Sequence, residues 1–392
     1  MRAIERGILT AVLVSAGVST RSSGQAKYPE VKLSGRLQEQ FFYFDNDAYA
    51  PEVGTRSNFL IRRARIEARG QISENVSLYI QPSFEGGRPL SATTTCTSTP
   101  VPPVGGTPAV TCRTTGRSGL RLRDAYVDVR LGQEEGPTAV YLRGGQEKRP
   151  FSRYELTSSN NLPSIERGAG QGLPGRATNN LFEGAGFLSH DVGASLRVEH
   201  ELDGTRMVSL KLGVYNGQGE SLNDVNGRKS VGARGTVAVS PKIDLGASWF
   251  AHEGIVTVDG VADSGFANHA FDIDAQYGKP GDRGLFALAE YLQGTDATAL
   301  KARMRGFQVV AAYNVPVEGP VSWLSAVEPA LRVDLADPNT DLEDDSVTTV
   351  TAVVGFYLSS RAWLRVAYER QSFQADDSDT VSGIRSMLAV SF

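Results

Sequence analysis

"FLIRRARIEARGQI", Phe59–Ile72, sets four arginines and a glutamate into a stretch that is otherwise apolar. A period of two sorts it. Leu60, Ala64, Ile66, Ala68, Gly70 and Ile72 fall on one face, with Arg62 near its end. Arg63, Arg65, Glu67, Arg69 and Gln71 fall on the other. Successive side chains of a strand point to opposite faces, so this alternation predicts a β-strand. One face calls for hydrocarbon or a core, the other for water and anions. The fold follows from the partner that each face finds.

The alternation recurs along the chain. Sixteen strands are expected at 31–44, 57–72, 76–87, 119–131, 138–148, 187–202, 205–215, 229–239, 243–253, 269–278, 283–294, 304–315, 327–336, 346–358, 362–373 and 381–392. One face of each is repeatedly apolar, as in Val208, Leu210, Leu212 and Val214, or Leu245, Ala247, Trp249 and Ala251. Short turns such as Ser73–Asn75 and the hairpin signal Asp203-Gly204 alternate with long segments. The long ones include Arg88–Ser118, Arg149–Phe182 and Gly254–Asn268. Alternating segments of about ten residues, with short turns at one end and long loops at the other, are the signature of an antiparallel transmembrane β-barrel. A soluble sandwich would also alternate, but it fits this loop asymmetry poorly.

Bulk composition is compatible with that. The 392 residues carry a net charge of −4, 40% apolar residues, 42 glycines and 29 Tyr plus Phe. Small net charge with abundant aromatics excludes a disordered chain, and nothing in the charge balance points to nucleic acid. The opening "MRAIERGILTAVLVSAGVSTRSSGQA" has Arg2 and Arg6, an apolar run from Ile8 to Val18, then small and polar residues. That layout predicts a secretory signal over 1–26, cleaved after Ala26, with a barrel domain over 27–392. The run is too short to span a membrane as a helix, and no apolar run of 18 follows it. A mature chain seated in a membrane would therefore cross it with strands. The final "SGIRSMLAVSF" aligns Ile384, Leu388, Val390 and Phe392 on one face. A terminal Phe on such a strand resembles the assembly signal of bacterial outer-membrane proteins.

In a barrel the apolar face of Phe59–Ile72 meets lipid and the arginine face points into the lumen. A charge facing lipid at the midplane costs roughly 2–4 kcal/mol, which enforces the register. The same count sends Arg130, Arg143, Lys211, Arg234, Arg332 and Arg365 inward, and leaves Arg62 on the lipid side, snorkelling to the headgroups. Acids also point inward, among them Asp124, Asp128, Asp272, Asp274, Glu290 and Glu369. A wall of paired charges without selectivity is the bland alternative. One loop tilts the balance. "RPFSRYELTSSNNLPSIERGAGQGLPGRATNNLF", Arg149–Phe182, carries Arg149, Arg153, Arg167 and Arg176 against Glu155 and Glu166. Thirty-four residues without evident secondary structure call for a functional explanation. Folded inward, the loop narrows the lumen and brings guanidinium groups to the narrowest point. Rings of Arg or Lys are how anion pores select.

Cys96 and Cys112 lie in one Thr/Pro/Gly-rich outer loop of an exported chain, which predicts a disulfide between them. The four histidines, His190, His200, His252 and His269, have no ligand spacing, and no G-x-S-x-G or Walker lysine loop occurs. No cofactor, metal or enzymatic activity is expected. An outer-membrane lipase would need an outward Ser/His pair, and an adhesive barrel would have a plugged lumen.

"FLIRRARIEARG", "LRDAYVDVR", "LRGGQEKRPFSRYE", "VYNGQG", "VEPALRVD" and the terminal "VSF", in this order, resemble the phosphate-selective porins, the porin O and P family. The resemblance implies a sixteen-stranded barrel assembled as a homotrimer, with its third loop folded inside and anions passing a ladder of inward arginines. Arg62, Arg63 and Arg65 match the family's "RRAR" pattern, and Lys148 and Arg149 its "KRPFS". The expected function is passive diffusion of small anions, phosphate or polyphosphate first, across a bacterial outer membrane. The pore-lining candidates are Arg63, Arg65, Arg69, Arg130, Arg143, Lys148, Arg149, Arg153, Arg167, Arg176, Lys211 and Arg234. The alternative is a general diffusion porin without a specific binding site.

Overall fold

The computed structural model describes residues 28–85, 93–98, 110–115, 120–132, 136–224, 227–258, 261–296, 301–318, 323–374 and 380–392. The expected signal, 1–26, lies outside the described residues. Eighteen strands follow in order: β1 (Glu30–Asp45), β2 (Ser57–Gln71), β3 (Val76–Ser83), β4 (Thr93–Ser98), β5 (Val110–Thr115), β6 (Arg121–Leu131), β7 (Thr138–Lys148), β8 (His190–Glu201) and β9 (Met207–Tyr215), then β10 (Ser230–Ser240), β11 (Ile243–Val258), β12 (Val261–Tyr277), β13 (Gly284–Thr295), β14 (Arg303–Pro316), β15 (Ala326–Asp337), β16 (Val347–Ser359), β17 (Ala362–Phe373) and β18 (Val381–Ser391).

Sixteen of them close into one antiparallel barrel, each beside its sequence neighbour. Closure pairs β1 with β18, from Arg36↔Ser391 to Asp45↔Ser382. Gly35 and Phe392 extend the seam by exchanging backbone hydrogen bonds of 3.0 and 3.1 Å. A Cβ at Gly35 would lie 2.4 Å from the Phe392 ring and 2.8 Å from the Arg65 carbonyl, so only glycine fits there. A closed barrel satisfies every strand edge, which hydrocarbon demands.

The outward face is apolar as expected. Val208, Leu210, Leu212, Val214, Leu245, Trp249, Ile273, Leu331, Val366, Tyr368, Leu388 and Val390 are all exposed on it. Four expectations are corrected. First, Gly254–Asn268 is not a loop: β11 and β12 stay paired through Val258↔Val261. The β-branched run Ile255–Val258 suits an extended pair. Second, Arg88–Ser118 holds a hairpin, β4–β5, outside the barrel sheet. Third, the Asp203-Gly204 turn is longer than two residues. Glu201 pairs with Met207, and Asp203 accepts the Arg206 N–H at 3.0 Å.

The fourth correction concerns the opening stretch. The β1–β2 register runs Gln38↔Arg63 and then Glu39↔Ile61, leaving Arg62 as an extra residue. This β-bulge reverses the alternation above it. Ile61 and Phe59 are exposed on the outer face, and Leu60 packs inside against Phe42, Phe44 and Leu173. Arg62 does not snorkel to headgroups. It joins Arg63 inside, because a bulge gives two successive residues the same side.

Candidate functional site

The loop after β7 turns into the barrel and returns at β8. It is more ordered than expected, with short helices at Arg153–Leu156 and Thr178–Gly184. Ser152 caps the first, accepting the Glu155 N–H on its hydroxyl at 3.2 Å, with φ at 62°. Apolar loop residues dock into four clusters on the inner wall. Phe151 and Phe182 pack with Phe187, Tyr215 and Phe250; Tyr154 and Leu162 with Phe286, Leu288 and Val310; Ile165 with Trp363, Ala367 and Met387; and Leu173 with Phe42 and Phe44. These wall residues lie on β1, β9, β11, β13, β14, β17 and β18. The loop therefore lies against that side of the lumen.

Polar contacts pin it there. Glu166 receives Arg62 through a two-pronged fork, Nε–Oε1 2.6 Å and Nη2–Oε2 2.9 Å, and also meets Gln40 at 2.9 Å. Arg332 donates to the carbonyls of Glu166 and Gly168, Arg365 to Leu162, and Arg385 to Gln171. At the loop root, Arg153 reaches Asp274 and its backbone N–H donates to Glu290 at 2.5 Å. The Thr178 backbone N–H donates to the Asp334 carboxylate at 2.9 Å. Burial disfavours the Glu166 carboxylate, but Arg62, Arg63 and Arg385 outweigh it and hold the carboxyl well below the usual range. Glu155 is buried too, and Lys148 and Arg167 hold its carboxyl low in the same way.

Opposite the docked loop lies an aqueous cavity of about 540 Å³. Its walls are β1–β3 and β6–β9, and the loop residues Leu156–Asn161 with Arg167 form its far side. Eight of its lining side chains are Arg or Lys: Arg36, Arg65, Arg69, Arg123, Arg143, Lys148, Arg167 and Lys211. Each has a carboxylate partner, but Glu67, Glu147 and Glu155 each serve two cations, so eight cations meet six carboxylates. The arrangement adds to this excess. Lys211 is 20% exposed and its partner Glu147 2%; for Arg69 and Glu67 the figures are 67% and 11%. Lys148 with Glu155 and Arg123 with Glu220 follow the same order. In these pairs the cation stands toward the water and the carboxylate behind it; Arg36 with Glu67 and Arg65 with Glu85, both buried, have the opposite order by a small margin.

The structure divides the predicted pore residues. Arg65, Arg69, Arg143, Lys148, Arg167 and Lys211 line the cavity. Arg63 is buried against Gln38 and Glu166 at the loop anchor. Arg149 is locked to Asp191 at 2.7 Å and to the carbonyls of Gly186 and Leu188. Arg153 and Arg234 converge on Asp274 behind the loop. Arg176 is exposed, pairs with Glu52 at 3.0 Å and lies over Tyr49, so it is not at a narrow point. Arg130 is half-buried at the short-turn end of β6 and does not line this cavity. Four guanidiniums expected in an aqueous constriction (Arg63, Arg149, Arg153 and Arg234) instead hold the loop or the wall.

A family model described as phosphate-selective porin O and P matches residues 31–249. The chain belongs to this family. No protein of curated function matches the sequence. Among solved structures, the anion-selective porin from Comamonas acidovorans aligns with a TM-score of 0.56 at 13% identity, over 93% of this chain and 100% of that one. OmpF of Salmonella typhi, in complex with daunomycin, aligns at 0.57 and 13%, over 93% and 98%. The trimer form of Vibrio cholerae OmpT aligns at 0.53 and 11%, over 93% and 100%. At these identities the likeness establishes the fold. Family and fold together make the protein a porin of the bacterial outer membrane and point to a channel rather than a catalyst.

Several cavity residues of this porin escaped the sequence reading. Arg36 lies on β1, and Arg123 precedes Asp124 in "LRDAY". Tyr79, Tyr126 and His190 also line the space. One signal was available. β13, "GLFALAEYLQGT", is apolar on both faces, which marks an inner wall covered by something other than water.

Proposed function

We propose that this porin is a passive anion channel whose solutes are small oxyanions, phosphate or polyphosphate among them. The observation that carries the reading is the cavity's lining of eight Arg and Lys side chains, with the cation the more exposed member of most pairs, Arg69 over Glu67 and Lys211 over Glu147 above all. In a narrow lumen with low-dielectric walls, positive charge at the water's edge raises the local anion concentration. The test is a reversal potential for the full chain in a planar bilayer under a chloride gradient. An anion-selective sign is expected, with phosphate reducing the chloride current. A cation-selective sign overturns the proposal.

The second reading is a general diffusion porin. The full pairing of cavity cations favours it, since a paired guanidinium has fewer donors left for a solute. Chloride conductance that rises linearly with concentration, with no effect of phosphate, would favour it. Assembly as a homotrimer is part of the proposal, supported by the trimer form of the OmpT neighbour. Native mass measurement of detergent-extracted protein tests it. So is removal of residues 1–26, which predicts a mature N-terminus at Lys27.

A further inference from the structure

We infer that the cavity selects oxyanions bearing a planar aromatic group, aryl phosphates or aryl carboxylates, over bare inorganic anions of the same charge. This rests on the anion-channel reading and refines its substrate class. The cavity has two chemically different parts. One is cationic: Arg36, Arg65, Arg123, Lys148 and Arg167. Arg36 and Arg65 stand directly opposite each other in the β1–β2 ladder, each on its own carboxylate, Glu67 and Glu85, so two guanidiniums converge on one stretch of the wall.

The other part is flat and aromatic. Arg69 on β2 pairs in register with Tyr79 on β3, and Tyr79 with Tyr126 on β6. The row continues through the side chains. Arg69 lies 4.8 Å above the Tyr79 ring, and the two tyrosine rings are 5.3 Å apart at 38°. Arg143 lies 3.6 Å above Tyr126. Tyrosine faces and guanidinium planes both stack on aromatic rings. Arg69 is the most exposed cation of the cavity, and its contact with Glu67 is 3.7 Å. Its plane therefore has a face open to the lumen.

Size points the same way. A cavity of about 540 Å³ is far larger than a tetrahedral anion needs. Pockets of ~300–1,000 Å³ hold organic molecules. A bare phosphate would use the cationic part and leave the shelf to water. An aryl phosphate would use both, with its oxygens on the arginines and its ring on the shelf.

The test uses the full-length porin in planar bilayers carrying chloride current, with inorganic, phenyl and cyclohexyl phosphate as blockers. Phenyl and cyclohexyl phosphate share charge and similar bulk but differ in the π face. Phenyl phosphate should block at a concentration about tenfold lower than cyclohexyl phosphate, the size of effect stacking supplies. Tyr79→Leu combined with Tyr126→Leu should erase that difference, while inorganic phosphate still blocks. Equal block by the two esters in the wild type overturns the inference, as does a difference that survives the double substitution. A cation-selective wild type marks failure of the channel reading itself, and the inference falls with it.

Discussion

Arg62 and Glu166 meet across 104 positions of sequence, guanidinium to carboxylate, through two parallel hydrogen bonds of 2.6 and 2.9 Å. The contact exists because of a bulge. Without the extra residue in β2, the alternation would carry Arg62 to lipid and leave Glu166 with Gln40 and the longer Arg63 contact at 3.4 Å. The irregularity at one point of the wall thus fixes where the inner loop lies. A planar fork on a carboxylate sets orientation as well as distance, which a lysine would not do.

Glu166→Gln tests the anchor. The substitution keeps shape and removes the charge that Arg62, Arg63 and Arg385 share. Breaking a buried ion pair from one side costs roughly 3–5 kcal/mol, because the remaining charges stay buried. The barrel should fold, since its strand pairing does not involve the loop. Single-channel records should show larger open-channel noise and higher mean conductance. Quiet currents of wild-type size would mean that the apolar docking alone holds the loop.

Acid should leave the same anchor intact over most of its range. The Glu166 carboxyl lies below its ordinary value of 4.5 in the folded protein. Its contribution is therefore complete above that ordinary value, and it is lost only as pH falls through the lower folded value. Channel noise in the wild type should stay flat from pH 7 to about pH 5. A rise inside that window would show that Glu166 is not held as a carboxylate.

Selectivity should separate the cavity cations from the structural ones. Arg69→Gln, Arg123→Gln and Lys148→Gln together expose Glu67, Glu220 and Glu155 to the lumen. The anion-to-cation permeability ratio should fall by roughly tenfold. Arg149→Gln and Arg234→Gln, on buried partners, should lower the yield of folded barrel with little effect on the ratio. Reversal potentials and heat-modified gel mobility read the two effects apart. An equal change of ratio for both sets would undo the division.

The barrel was legible because each strand must satisfy hydrocarbon on one side, and a period of two survives errors of boundary. Sixteen strands and an outward apolar face follow from that alone. The inner face was legible only in part. Arg65 and Lys211 obey simple alternation. Arg62 does not, because a bulge leaves no local mark in sequence. Nor could alternation tell Arg234 from Arg143. Both point inward, and what differs is whether the loop covers them. That coverage depends on contacts such as Arg332 to Glu166, 166 positions apart. The apolar inner positions Phe286, Leu288 and Trp363 were the readable trace of it.

Cys96 and Cys112 stand directly opposite each other in the β4–β5 ladder. A cross-strand disulfide is the expected state, in keeping with an oxidising compartment. Closing a ring of this size stabilises a hairpin by about 3 kcal/mol in the chain-entropy picture. A thiol-reactive mass tag should add nothing to denatured, unreduced protein and two tags after reduction. Cys96→Ser with Cys112→Ser should leave the barrel folded, because the hairpin is a separate sheet. Labelling of the unreduced protein would disprove the bond.

Deleting residues 157–177 tests the largest consequence of the fold. It removes the loop's central span and leaves the aromatic root at Phe151, Phe182 and Phe187. Arg332, Arg365 and Arg385 would lose their carbonyl acceptors on the loop, but water would replace them, and Asp334, Glu328 and Glu369 would remain as partners. The inner wall would then expose Phe286, Leu288 and Trp363 to the lumen. Conductance should rise several-fold as the covered side opens to water. Anion preference should fall, because the new path runs past Glu328 and Glu369 as well as past the arginines. Unchanged conductance would mean that the loop does not narrow the pore.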